Sequence, residues 1–134
     1  MGRSWTGRAI VRATASGPAL LSGTTLSFLG DLDIRSGNVV EESSDLFGKS
    51  IAGSVLVVGS TKGSAGAWRF IYQLFQHGTH PVAMITEDLP DPSVVQGAIM
   101  CRIPIISGLA GQILAAGLPQ ETLLNVEGDT VSED

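Results

Sequence analysis

Ser54-Val55-Leu56-Val57-Val58 is bounded by Gly53 and Gly59 and holds an apolar run, Val55 to Val58, as long as any in the chain. A run without polar alternation, rich in β-branched valine, reads as a strand buried on both faces, the pattern of a parallel sheet. After a loop over residues 59–63, Trp68, Ile71, Tyr72 and Phe75 fall at i, i+3, i+4 and i+7, one apolar face of a helix. Ser64 is placed to cap that helix, and Gly78 to end it with His77 in its last turn. Trp68, Tyr72 and Phe75 read as core, which leaves Phe70 for a partner surface. Residues 81–86 repeat the buried-strand pattern. Asp91-Pro92 supplies an N-cap and a proline at the first helical position, opening a second helix with apolar Val94, Val95, Ala98 and Ile99. Residues 103–106 form a third strand, with Pro104 implying an edge or a late start.

Strand, helix, strand, helix, strand over residues 54–106 implies crossover connections and a parallel core. The region before it reads as mainly antiparallel β structure. Residues 8–14 alternate, Gly17-Pro18 punctuates, 19–21 and 26–29 are short extended pieces, 30–37 carry turn chemistry and 43–50 form a polar loop. After the parallel core come a short helix within 108–117 and a last strand at 122–126. The expected fold is α/β: a β layer or partial barrel joined to a parallel βαβαβ unit. It forms one domain over residues 1–126, with 127–134 an acidic, frayed tail.

Composition narrows the function. The chain has 134 residues, a net charge of −5, 17 glycines, one cysteine and two histidines. That length suits one domain. Without a basic cluster it lacks the footprint of a nucleic-acid binder. A single cysteine excludes a disulfide framework and any self-contained cysteine-ligated cluster. His77 and His80, separated by Gly78 and Thr79, are not a helical metal pair, so no metal ligands are assigned. The apolar runs are too short to span a bilayer, and the first residues lack the apolar core of a signal peptide. A cytoplasmic, soluble chain is expected. Only 16% of its residues are charged, which points to a surface meant to be covered.

The loop Gly59-Ser60-Thr61-Lys62-Gly63-Ser64-Ala65 joins the carboxyl end of the buried strand to a helix N-terminus. Ligands of open α/β sheets bind at such strand ends, and helix N-termini attract anions. Lys62 adds a positive charge, and Ser60, Thr61 and Ser64 add hydroxyls. The loop is not a Walker A, a Gly-x-Gly-x-x-Gly or a Gly-x-Ser-x-Gly motif. From spacing alone it is either an anion-binding loop or a tight capped turn. The carboxylates of Glu87, Asp88 and Asp91 also follow a strand end, and read mainly as a solvated turn with an Asp cap. Asp31 and Asp33 read as turn formers, with an acid pair as the alternative. Cys101 reads as a small buried hydrophobe.

Several short segments, taken in order, resemble the small subunit, or swivel domain, of aconitase X. These are Leu26-Ser27-Phe28 with Gly30 and Asp33; Gly48-Lys49-Ser50-Ile51-Ala52-Gly53; Gly63-Ser64; and Asp91-Pro92 with Gly97-Ala98-Ile99 and Ile103-Pro104. The resemblance runs from about Arg8 to Ile106. It implies a swivelling β/β/α domain that docks on a large subunit carrying an iron–sulfur or iron centre, with no cofactor bound by this chain. It implies that Ser64 is the catalytic base of a hydro-lyase. Ser60, Thr61, Lys62, Gly63 and Ala65 would contact a small anionic hydroxy acid. Lys62 stands where members of the family often carry arginine, and a lysine lacks the planar two-pronged grip of that residue. Two substrates belong to the family, cis-3-hydroxy-L-proline and mevalonate 5-phosphate. The segments at 30–37 and 63–70 look closer to the hydroxyproline type, whose product is pyrroline-2-carboxylate. The alternatives are a mevalonate 5-phosphate dehydratase subunit and a non-catalytic anion-binding or structural subunit. Gly48 to Gly53 and the Asp31/Asp33 loop are the expected interface or gating loops.

Overall fold

A computed structural model describes residues 2–28, 30–62 and 65–134. The parallel unit forms as the apolar runs require. Strand β5 (Val55–Val57) pairs in parallel with β7 (Ala83–Ile85), and β7 pairs in parallel with β8 (Ile105–Ser107). Helix α1 (Ala67–His77) connects the first two strands and α2 (Pro92–Cys101) the second two. Pro104 lies just before β8, so the late start is the correct reading of that proline. Both faces of the unit are buried. Leu56, Met84 and Ile105 pack against α1 and α2, while Val55, Val57, Ile85 and Ile106 face the opposite core.

That opposite core is closed by antiparallel structure. Strand β3 (Thr14–Leu21) pairs antiparallel with β9 (Leu123–Glu127) over Thr14 to Pro18, then parallel with β5 over Ala19 to Leu21. The expected break at Gly17-Pro18 does not occur: β3 runs through it, because proline falls where one ladder ends and the other begins. Beyond β9 lie β10 (Thr130–Glu133) and β1 (Ser4–Thr6), and β2 (Arg8–Val11) pairs with β8 on the far side. Among the described residues these eight strands form one sheet in the order β1-β10-β9-β3-β5-β7-β8-β2. Only Gly7 separates β1 from β2, so one short segment joins the two edges. A Cβ at Gly7 would lie 2.6 Å from the Ser107 carbonyl oxygen and from Leu109 Cγ. Helix α3 (Ala110–Ala115) packs Ala110 and Ile113 into the same core.

Two expectations need correction. The acidic chain end is not frayed. Strand β10 sits between β9 and β1, Val131 is buried, and Arg3 pairs with Glu133 at 2.9 Å. The one charged residue within β10, Glu133, is paired with Arg3, whose carbonyl also accepts the Glu133 N–H. The buried stripe of α1 is Ala67, Ile71 and Leu74, rotated from the expected face, and Tyr72 and Phe75 are exposed. The ring stack of Tyr72 on Phe75, with Phe75 against His80, explains why both rings look like a core pattern in the sequence.

Candidate functional site

The candidate loop leaves β5 and pairs again at once. Strand β6 (Thr61–Lys62) runs parallel to β4 (Leu26–Ser27). The ladder is extended by the Leu26 N–H donating to the Ser60 carbonyl and the Phe28 N–H donating to that of Lys62, both at 3.2 Å. The two-residue period of a strand sets the side chains on alternate faces. Ser60 and Lys62 lie on one: the Ser60 hydroxyl is hydrogen-bonded to that of Thr25 at 3.0 Å, and Lys62 is exposed. Thr61 points to the other, where its Oγ1 is buried with no hydrogen-bond partner among the described residues.

Lys62 borders a cavity of about 260 Å³ with Asp31, Glu41 and the residues Thr24, Thr25, Ser27, Ser43 and Ser44. Its lining is held in place by side-chain oxygens. Asp31 Oδ2 accepts the Ser27 N–H at 2.8 Å, and Glu41 Oε1 accepts both the N–H and the hydroxyl of Ser43. Behind it, Asp45 accepts from the Ser22 hydroxyl at 2.5 Å, the Gly23 N–H at 2.9 Å and the Thr24 hydroxyl at 3.1 Å. Burial alone would raise the Asp45 carboxyl, but these donors together outweigh it and hold the group below its ordinary pKa. Among the described residues no carboxylate forms an ion pair with Lys62, so its ammonium is available to an anionic ligand.

The start of α1 is organised by α2. Gly66 occupies the N-cap position, two residues beyond Ser64, and has no side chain to cap with. The Ser93 hydroxyl of α2 does that work. It accepts the Trp68 N–H and donates to the Ala65 carbonyl, each at 3.0 Å. The Arg69 N–H donates to the Gly66 carbonyl. Two N–H groups of this helix end are therefore already engaged, and the end offers an anion less than the sequence implied. At the neighbouring strand end the N–H groups of Glu87 and Asp88 donate to the Gly59 carbonyl, and Glu87 Oε1 accepts the Gly111 N–H at 2.8 Å. The turn read from sequence is present and braced by Glu87, but the expected Asp cap is not formed: Asp91 occupies the N-cap position of α2 and its side chain makes no capping hydrogen bond.

The model of the aconitase X swivel domain matches residues 4–132. The chain belongs to this family. A phosphomevalonate dehydratase small subunit from Methanocella arvoryzae is 39% identical over 128 residues, covering 96% of this chain and 90% of its own. Its counterpart from Pyrococcus furiosus is 37% identical over 112 residues, covering 84% and 83%. The crystal structure of Thermococcus kodakaraensis aconitase X in its holo-form superposes with a TM-score of 0.87 at 32% identity, over 98% of both chains.

Within this swivel domain, Lys62 lines the cavity; Ser60 does not, but is hydrogen-bonded to Thr25, which lines it. Thr61 faces away from it, and Ala65 lies outside its lining, held through its carbonyl by Ser93. Gly63 and Ser64 lie outside the described residues. Asp31 and Asp33 are both turn formers: Asp33 Oδ2 accepts the N–H and hydroxyl of Ser36. Asp31 also lines the cavity. Sequence reasoning missed Thr24, Thr25, Ser43, Ser44 and Ser93. Their hydroxyls meet the site through long-range packing, and no local pattern marks them. A second hollow, of about 630 Å³ between β2 and α2, is lined by apolar residues such as Leu89, Ile99 and Met100 with Arg8 as its one charge, and does not suit an anionic substrate.

Among the described residues, no three His, Cys, Asp or Glu side chains converge to hold a metal ion, and the Cys101 thiol is buried, which pushes its pKa up. With a single cysteine in the sequence, the donors among the described residues do not fit an iron–sulfur cluster. No helix of the described chain is long and apolar enough to cross a membrane.

Proposed function

We propose that this swivel domain is the small subunit of a phosphomevalonate dehydratase, completed by a large subunit of the aconitase X type that holds the iron centre. Membership of the aconitase X family makes the chain a dehydratase subunit. The observation that carries the finer reading is the naming of relatives 35–45% identical to this chain, which are phosphomevalonate dehydratase small subunits across several organisms. It supports the phosphorylated substrate over cis-3-hydroxy-L-proline. Within one of the segments that look hydroxyproline-like, 30–37, the Asp33 side chain and the Gly37 N–H close a turn, whatever the substrate.

The chemistry asked of the chain is modest. Dehydration of a 3-hydroxy acid removes a proton alpha to the carboxylate and expels the hydroxyl, leaving an unsaturated acid that keeps its phosphate. Ser64 takes the proton. In sequence it follows Lys62, which is paired in the β4–β6 ladder, and precedes Ala65, whose carbonyl accepts the Ser93 hydroxyl. Lys62 meets an anionic end of the substrate as a point charge, a role that suits a phosphate better than a planar carboxylate grip. The surrounding hydroxyls of the cavity supply neutral donors.

The test is turnover by the complex of both subunits. Mevalonate 5-phosphate is dehydrated and cis-3-hydroxy-L-proline is not; the opposite preference would overturn the substrate. Ser64→Ala lowers kcat by about 10²–10⁴-fold, the range of a lost general base, with the complex still assembled. Near-normal turnover in that variant would overturn the assignment of the base.

A further inference from the structure

We propose that the loop at residues 40–48 is a docking element for the large subunit, with Val40 and Phe47 as its apolar anchors. The surface it meets on the partner is an apolar recess rimmed by Lys or Arg. The proposal rests on the reading of this chain as a small subunit, and not on which substrate the complex takes.

The loop turns two large apolar side chains to solvent: Phe47 is 53% exposed and Val40 49%. Both flank the cavity that Lys62 borders. Val40 precedes Glu41, which lines that cavity, and its N–H donates to the carbonyl of Asp31, another lining residue, at 2.7 Å. The Phe47 N–H donates to the carbonyl of Ser44, also in the lining, at 3.2 Å. A partner that closes over the cavity therefore meets both side chains.

The backbone that presents them is fixed within this chain. Val39 and Leu46, the neighbours of the two anchors, are buried. The Gly48 N–H donates to the Val39 carbonyl at 2.9 Å and the Val39 N–H to the Lys49 carbonyl at 2.8 Å, which laces the two ends of the loop together. Gly48 takes a left-handed φ of +82°, and so turns the chain directly after Phe47. An aromatic ring on a loop already ordered gives up little freedom on binding, which is what an interface anchor requires.

Charge defines the surface that fits. Between Val40 and Phe47 stand Glu41, Glu42 and Asp45, with no basic residue among them. Among the described residues none of the three carboxylates is in an ion pair. Apolar anchors amid unpaired carboxylates match an apolar recess with a basic rim. The hollow along α2, with Leu89, Ile99 and Met100, is the comparison surface: its one charge is Arg8, and it shares no lining residue with the Lys62 cavity.

The experiment titrates the full chain with the large subunit, reading affinity by calorimetry and turnover of mevalonate 5-phosphate by the assembled complex. Phe47→Ser weakens binding by about 10- to 100-fold, the loss expected of an aromatic anchor. Its melting temperature, and kcat at saturating large subunit, stay near wild type. Val40→Ser, a smaller contact, weakens binding by about 3- to 10-fold and carries the comparison should Phe47→Ser not fold. Ile99→Ser, in the α2 hollow, leaves affinity unchanged. Added salt weakens wild-type binding, and Glu42→Gln reduces that dependence. Binding of Phe47→Ser and Val40→Ser within about twofold of wild type overturns the proposal. So does weakened binding in Ile99→Ser alone, which moves the docking surface to α2. A fall in kcat at full saturation with affinity unchanged also overturns it, since Phe47 would then close over the substrate. Wild-type affinity indifferent to salt overturns the basic rim. A wild-type chain that does not bind the large subunit fails the small-subunit reading and the proposal with it; binding without turnover of mevalonate 5-phosphate fails the substrate alone.

Discussion

Residues 55–107 and residues 22–54 are ordered in opposite ways. The first stretch is strand and helix in alternation, and its apolar runs become strands buried on both faces. Among its described residues the second has one two-residue strand and two isolated bridges, Leu32 with Val39 and Asn38 with Ser50. Yet it buries Leu26, Phe28, Val39, Leu46 and Ile51 as completely as the sheet buries its valines. Short polar side chains replace the ladder there. Ser36 Oγ accepts the Asn38 N–H, Ser44 Oγ that of Leu46, and Ser50 Oγ that of Ala52. A periodic pattern fixes many backbone groups with one rule; an irregular stretch must satisfy them one at a time. The cavity beside Lys62 belongs to the second kind.

The contrast can be tested by equal cuts in each region. Leu56→Ala and Leu46→Ala each open a fully buried site, and such changes cost about 2–5 kcal/mol. Leu56, locked between paired strands, falls at the upper end; Leu46, in a loop free to collapse, falls at the lower. Chemical denaturation measures both, and an equal or reversed order would erase the distinction. Asp45→Asn comes next, at about 1–2 kcal/mol, because one carboxylate serves three donors of the irregular stretch. The Asp45 carboxyl is held below its unfolded value of 3.8, so its stabilisation is present above that pH and is lost as pH falls through the lower folded value. Melting curves between pH 2 and 5 flatten in the variant.

A smaller effect is expected where the two regions meet. His80, whose carbonyl accepts the Gly53 N–H, is pushed below its ordinary 6.5 by burial. The unfolded chain therefore binds the proton first, and stability falls as pH drops through 6.5 toward the folded value. His80→Gln removes this slope from the melting temperature between pH 7.5 and 5.5. The smallest change is Phe75→Ser. The ring is exposed, and the substitution shifts stability by no more than about 0.5 kcal/mol. A loss above 1.5 kcal/mol would restore Phe75 to the core.

What could be read in the sequence divides along the same line. The parallel unit was legible because Val55 to Val58 and the Asp91-Pro92 signal act locally. The face of α1 was not, since Tyr72 and Phe75 repeat with helical spacing while packing on each other. Strand β10 was hidden because acidic residues flank it and its partner β1 comes from the far end of the chain. Of the candidate site, the loop and the proximity of Ser60 and Lys62 were legible. The burial of Thr61 follows from a two-residue pairing with Leu26 that has no sequence signature. Ser93 was hidden because a cap supplied by another helix leaves the usual position, here Gly66, without its mark.

Gly7 has a consequence for how the molecule behaves among its neighbours. It lets β1 lie on one edge of the sheet and β2 on the other, so a single residue shields both. A side chain there meets the Ser107 carbonyl oxygen, and the relief is to lift one of the two strands. Lifting β1 bares the row of N–H and C=O groups along β10; lifting β2 bares those along β8. A bared edge is a template for a strand from another molecule. Damage at Gly7 would thus first be felt between molecules, as self-association at rising concentration, while the core beneath still holds.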